Sequence, residues 1–342
     1  MKKVLDDRKK RILQAIVDEY IATAEPVSSG AITQNYDLDF SSATIRNEMA
    51  ELEKRGYLDK PHTSSGRVPS AKGYRFYVDE LLKDDNISVE EIKYIQSKLS
   101  QKVNEIEELT KVATTTLSEI THYTSVAVGP KTKLQLIEEI KFVLLGSRML
   151  MAVIVTDRGL VKETIIKFEK DITESQVETI NNLFRNKLTG KPLDRIDKPM
   201  EEYLMAELNY SIDVIKPIIE QINKIVEEEE QIYLEGTNQA FELPEFKSLN
   251  VAKNFINLLD TKEVMVDILN SGFAKDINVY IGDETDNEEL RDFSIVTFKH
   301  KVGGKDLGTI GIIGPKRMDY SKVISVMKYL SKKLKDEEEK NL

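Results

Sequence analysis

Helix-ending punctuation cuts the first 83 residues into pieces that can only stack as a small bundle, and this constrains the fold more than any other feature of the chain. In "DDRKKRILQAIVDEYIATAEPVSSGAITQNYDLDFSSATIRNEMAELEKRGYLDKP" apolar residues recur at helical spacing and then stop three times. The first helix carries Ile12, Ile16 and Ile21 with Leu13, Val17 and Tyr20, and Glu25-Pro26 ends it. Ser28 or Ser29 caps a brief second helix through Ala31 and Ile32. After "DLDF", Ser41 or Ser42 caps a third, whose apolar face is Ile45, Met49 and Leu52 and whose end is "RGY".

The third helix presents Ala43, Asn47, Ala50 and Lys54 opposite its apolar face, with Thr44 and Arg46 on the flanks. That slim profile, with Arg for guanine and Asn for adenine, fits a helix that enters a major groove. A solvated helix face would look the same from this segment alone. The next stretch tips the balance. "KPHTSSGRVPSAKGYRFYV", residues 60 to 78, holds Lys60, Arg67, Lys72 and Arg75 and no carboxylate, in a chain of net charge −10. Gly66 supplies a turn, and Pro61 and Pro69 confine pairing to edges, so the segment reads as a two-stranded ribbon. Its tip offers His62, Thr63, Ser64, Ser65 and Arg67, donors that suit phosphates or a minor groove. Ser70 then caps "AKGYRFYVDELL", with Tyr74 and Tyr77 turned inward.

Charge separates this module from the remainder. Residues 1 to 83 carry 14 Lys and Arg against 13 Asp and Glu, and the rest 35 against 46. An acidic body repels nucleic acid, so phosphate binding has to come from the first module. The 342 residues suffice for several cores. With no apolar run of membrane-spanning length and no signal-peptide pattern, the chain is expected to be soluble and cytoplasmic. The absence of cysteine excludes disulfides, thiolate metal sites and thiol nucleophiles.

Beyond residue 83, Ile92, Leu99, Ile106, Ala113 and Ile120 recur every seven residues, with Ile95 and Leu109 in the second heptad position. This predicts either a connecting helix that pairs with a partner or an amphipathic helix packed on its own sheet. Strands are expected over Ile140 to Leu145, Leu150 to Thr156 and Val161 to Lys167, and again in "INVYIG" and "FSIVTFKHKVGGKDLGTIGIIGP", which turns at Gly303-Gly304. A mainly helical stretch lies between, and an amphipathic helix runs through Tyr320, Val323, Met327 and Leu330. The pattern is α+β with a helical insertion. Ile215, Ile218, Ile219, Ile222 and Ile225 give the insertion a broad apolar surface, either internal core or subunit contact, and dimerisation is the leading expectation.

Little here points to catalysis. His62, His122 and His300 lie in three separate segments with no metal-pair spacing and no adjacent nucleophile. "GGKDLGTIG" fits no phosphate loop, and "GDETDNEEL" lacks the glycine and bidentate glutamate of a calcium loop, so it reads as solvated. No enzyme, cofactor or metal is expected.

"SSATIRNEMAELEKRGYLDKPHTSSGRVPSAKGYRFYVDELL", with "LEGTNQAF" (234–241) and "GTIGIIGPKRMDY" (308–320), closely resembles the HrcA family of bacterial heat-inducible transcription repressors. The resemblance implies a multidomain α+β protein: an N-terminal winged helix-turn-helix and a GAF-like domain carrying an inserted, mainly helical dimerisation domain. Expected boundaries are 1–83 for the DNA-binding domain, 84–170 for the linking helix and first part of the GAF-like domain, 171–252 for the insertion, 253–335 for the second GAF-like part and 336–342 for a charged tail. It further implies a homodimer on double-stranded DNA at a CIRCE-type inverted repeat, with GroEL maintaining the active form, no membrane and no enzyme activity. On this footing Thr44, Arg46 and Asn47 read bases, Ser28, Ser29, Ser41 and Ser42 hold phosphates, and Lys60, His62, Arg67, Lys72 and Arg75 supply positive potential. The competing expectation is a metabolite-sensing regulator that uses the central domain.

Overall fold

The computed structural model describes all residues except 1–4, 62–65, 83–86, 100–105, 130–134, 158–160, 194–197, 209–211, 228–231, 271–275, 285–286, 303–304 and 340–342. The N-terminal unit holds α1 (Asp7–Thr23), α2 (Ser29–Asn35) and α3 (Ser42–Lys54), then β1 (Leu58–Asp59), β2 (Val68–Pro69) and α4 (Ala71–Phe76), which runs on as a π-helical turn to Leu81. The three expected helices are present; α1 begins at the Asp6 carboxylate, and α2 and α3 begin at serine hydroxyl caps. Ser28 accepts from the Ala31 N–H and Ser41 from the Thr44 N–H, each satisfying a helix-start donor that has no partner within the helix. β1 and β2 pair antiparallel, Leu58 opposite Pro69, and Arg67 pairs with Val27 through two backbone hydrogen bonds of 2.9 and 2.8 Å. The ribbon is thereby fastened to the α1–α2 connection. A Cβ at Gly66 would sit 2.6 Å from the Pro26 carbonyl oxygen, so this approach requires glycine.

The chain continues through α5 (Val89–Leu99), α6 (Ile106–Thr121), β3 (Thr124–Val128), β4 (Ile137–Gly146), β5 (Met149–Thr156), β6 (Val161–Lys167), α7 (Glu174–Leu188), α8 (Lys198–Leu208), α9 (Ile212–Glu227), β7 (Ile232–Glu235), the short α10 (Thr237–Ala240), α11 (Leu249–Asp260), α12 (Lys262–Asn270), β8 (Ile277–Ile281), β9 (Phe293–Val302), β10 (Lys305–Pro315) and α13 (Tyr320–Glu339). The body is an antiparallel five-stranded sheet in the order β7-β3-β10-β9-β8. Alternation along the strands gives it two apolar faces. Ala127, Val296, Phe298, Ile310 and Ile312 pack under α6 and α13, while Val126, Val128, Ile295 and Ile313 join Phe255, Leu258 and Met265 of α11 and α12.

The heptad residues are spent inside the chain. Ile95, Leu99, Leu109 and Ala113 are buried in its own core, and the Tyr94 hydroxyl of α5 donates to Glu119 of α6 at 2.6 Å. The packed-on-its-own-sheet alternative is therefore the one realised for these residues. The Gly303-Gly304 turn lies outside the described residues.

The insertion differs from its expected form. β4, β5 and β6 make a separate three-stranded sheet, and α7 and α9 share its core: Ile140, Phe142, Ile154 and Ile166 lie with Phe184, Ile215, Ile218 and Ile222. A boundary between 170 and 171 would cut through that core. The unit starts after β3 and is over before β7, because β7 pairs with β3 in the other sheet; residues up to 252 do not belong to it. It is mixed α and β, not mainly helical. Ile215, Ile218, Ile219 and Ile222 are fully or almost fully buried against the unit's own sheet, so they are core and not a dimer surface. The side chain of Ile225 lies outside the described residues.

Candidate nucleic-acid interface

α3 buries Ile45, Met49 and Leu52 and leaves Ala43, Arg46, Asn47, Ala50 and Lys54 exposed, with Thr44 half-buried. The exposed face begins with the small Ala43 and continues through Arg46 and Asn47 to Ala50 and Lys54. An arginine there can donate in pairs to guanine O6 and N7, and an asparagine can both donate to and accept from adenine. Thr44 is turned partly inward: its hydroxyl meets that of Ser41 at 2.9 Å.

The four predicted serines divide in role. Ser28 and Ser41 are exposed caps at helix starts, where free N–H groups and the helix dipole favour an anion. Ser29 is buried and its hydroxyl meets the hydroxyl of the half-buried Ser42 at 3.1 Å, so this pair ties α2 to α3. Ser29 is corrected from a phosphate contact to a packing contact.

The basic ribbon is rearranged in the same sense. Lys60 stands exposed at the end of β1. His62, Thr63, Ser64 and Ser65 lie outside the described residues. Arg67 turns back, its Nε donating to Glu53 Oε2 of α3 at 2.7 Å. Lys72 donates to the Arg55 carbonyl at 2.6 Å, over the Tyr57 ring, and so caps the C-terminal end of α3. Arg75 reaches off the unit altogether and clasps Glu284, which raises its pKa above the ordinary guanidinium value. Three cations expected to face phosphate are thus engaged by carboxylates or carbonyls, because each has a closer oxygen within the fold.

Other cations stand beside α3 that the residue pattern did not single out. Arg8 and Arg11 lie over the Phe40 ring at 5.4 and 5.7 Å from its centre, next to the Ser41 cap, and both are exposed. Lys9 is held by Glu48 of α3 at 2.9 Å, and the hydrogen bonds it donates to Asp6 and Glu48 raise its pKa. The run "DRKKR" carried the signal, but it reads equally as an ordinary charged helix start.

Among the described residues no helix is long and apolar enough to cross a membrane, and no group of three or more His, Asp and Glu is arranged to hold a metal ion.

Residues 107–324 match the family model described as the HrcA protein C terminal domain. The heat-inducible transcription repressor HrcA of Acetivibrio thermocellus is 38% identical over 340 residues, covering 98% of this chain and 97% of that protein. The one from Thermoanaerobacter pseudethanolicus is 40% identical over 338 residues, covering 96% of each. Among solved structures, a hypothetical protein determined at 2.2 Å resolution matches with a TM-score of 0.65 and 23% identity over 98% of both chains, a likeness of fold. Family model and full-length relatives converge on one assignment: the chain belongs to the HrcA family of heat-inducible transcription repressors.

Proposed function

We propose that this protein represses transcription by binding, as a homodimer, an inverted-repeat operator of the CIRCE type upstream of heat-shock chaperone operons, in the cytoplasm, with the chaperonin GroEL modulating its activity. In this reading the N-terminal unit is a winged helix, α3 its recognition helix and β1–β2 its wing, and the five-stranded body is the GAF-like domain. The observation that carries it is the exposed Arg46–Asn47 face of α3, set between the capped helix start at Ser41 and a ribbon tied to the same bundle. Arg46 and Asn47 read bases. Ser28, Ser41, Lys60, Arg8 and Arg11 contact phosphates.

The dimer contact moves from the buried isoleucines to the outer face of the inserted sheet. Val143, Met151 and Ile165 form a cross-strand row over all three strands, and Leu145, Val161 and Ile165 are exposed large apolar residues on that face.

Band-shift titration at fixed salt tests the reading, with an inverted repeat, a half-site and a random duplex as probes. Arg46→Ala should cost about 1–3 kcal/mol and relax discrimination at one position of each half-site. Ile165→Asp should give monomers in sedimentation and reduce binding of the inverted repeat to the half-site level. Preference for the inverted repeat over random duplex that is absent in the wild type would remove the assignment.

A further inference from the structure

We propose that Arg75 and Arg317 are positioning residues that fix the angle of the DNA-reading unit on the body and so determine which half-site spacing the dimer accepts. This rests on the dimeric operator-binding reading above.

Arg75 sits on α4, in the reading unit; apart from a 3.4 Å contact with Asp79 of its own unit, its partners are in the body. Its Nε donates to Glu284 Oε1 at 2.6 Å, its Nη2 to Glu284 Oε2 and to the Val279 carbonyl, the last at 2.6 Å. The paired geometry of guanidinium and carboxylate resists rotation as a single contact does not. Glu284 is itself held, because its Oε2 accepts from the Ile281 N–H at 2.9 Å. The clasp therefore joins two groups that are already oriented.

Arg317 makes the complementary link from the body outward. From the β10–α13 turn, its Nε donates to Glu245 Oε1 at 2.6 Å, while Nη1 donates to the Ile21 carbonyl in the last turn of α1. That last turn contains no basic residue of its own, and the terminal carbonyls of a helix lack intrahelical partners. The body thus supplies the cation that the end of α1 calls for. Only 13% of the Arg317 side chain is exposed.

Between the two arginines the seam is apolar and close. Tyr74 of α4 packs on Tyr320 of α13 with ring centres 5.8 Å apart, and both belong to one continuous core that also holds Ile16, Ile45, Phe298 and Ile312. Gly282 of the body lies against α4: a Cβ added there would be in ordinary contact, 3.9 Å, with the Ala71 Cβ. A reading unit welded in this way cannot swing on a tether. In a dimer, the separation of the two recognition helices is then inherited from the body, and only an operator whose half-sites match it engages both at once. Simultaneous engagement raises affinity by about 10²–10⁴ over one unit alone.

The full-length protein is titrated against inverted repeats with the natural spacer, with a spacer longer by about five base pairs, which turns one half-site to the opposite side of the duplex, and against a single half-site. Wild type is expected to bind the shifted operator no better than the half-site. Arg75→Ala and Arg317→Gln should reduce the natural-to-shifted affinity ratio about tenfold, a fraction of the avidity gain, while half-site affinity stays at the wild-type value. The exchanged pair Arg75→Glu with Glu284→Arg should restore the ratio, and unchanged melting of the variants excludes general unfolding as the cause. A wild-type ratio in both single variants overturns the proposal. Half-site affinity falling in parallel also overturns it, since Arg75 would then be a phosphate contact. Wild type that binds natural and shifted spacers equally overturns this proposal alone; wild type with no preference for either over random duplex overturns the repressor reading with it.

Discussion

The N-terminal unit and the insertion are joined to the same body in opposite ways. The first shares its core with the body: Ile16 of α1, Tyr74 of α4, Phe298 of β9 and Val323 of α13 belong to one buried cluster. The second keeps a core to itself, built from β4–β6 and α7–α9, and is entered and left through adjacent strands β3 and β7 of the body sheet. The N-terminal unit is thus fused to the body through packing, and the insertion is connected to it by two chain crossings. Charge follows the same division. Arg75–Glu284, which crosses the seam, stands at 28% and 31% exposure, whereas insertion pairs such as Arg148–Asp171 stand at 63% and 65%.

Core truncations give the largest test of this contrast. Phe184→Ala removes a fully buried ring that meets Phe142 edge-on at 5.0 Å and should cost about 3–5 kcal/mol, felt in the insertion. Hydrogen exchange should then lose protection in β4–β6 and α7 while α13 keeps it. Ile16→Ala, at about 2–5 kcal/mol, should lower protection in α1, β9 and α13 together. If α13 stays protected in Ile16→Ala, the shared core is not a cooperative unit.

A middle-sized effect belongs to Asn181. Its amide closes a two-way link with the backbone of edge strand β4, accepting from the Phe142 N–H at 2.7 Å and donating to the Phe142 carbonyl at 2.9 Å. Asn181→Ala should destabilise the insertion by about 1–3 kcal/mol, because two backbone groups lose their partners, with the body's transition in a denaturant titration left in place.

The smallest effect is electrostatic. Glu91 of α5 pairs with Lys322 of α13; burial pushes its carboxyl upward, but the Lys322 ammonium and the Ser88 N–H outweigh that and hold it below the ordinary glutamate value. A lowered folded-state value means that the unfolded chain takes up the proton first as pH falls. The stabilisation is present above the unfolded glutamate range and is lost on acidification through the folded value, amounting to under about 1 kcal/mol. Glu91→Gln should flatten the acid limb of the body's melting curve and leave that of the insertion unchanged.

The N-terminal helices and their caps were legible in the residues because punctuation is local: Ser28, Ser41 and Ser70 each bond an N–H three residues away or closer in sequence than any competitor. β6 spans the predicted residues, and β5 starts one residue early, since alternation and turns are also local signals. What could not be read was partnership. The period of Ile215, Ile218 and Ile222 states that one face is apolar but not which surface covers it, and the covering sheet lies earlier in the chain. The cations were misread for the same reason. Arg67 finds its carboxylate 14 residues back, and Arg75 finds its own 209 residues on. Glu284 accordingly sits not in a freely solvated acidic loop but in a clasp.

One consequence of the Asn181 link extends beyond the single molecule. A three-stranded sheet has two rims along which foreign backbone can add, and here the β4 rim is occupied at Phe142 by a side chain that imitates a neighbouring strand. Recruitment along β6 would therefore end at a closed pair and could not propagate into a fibril.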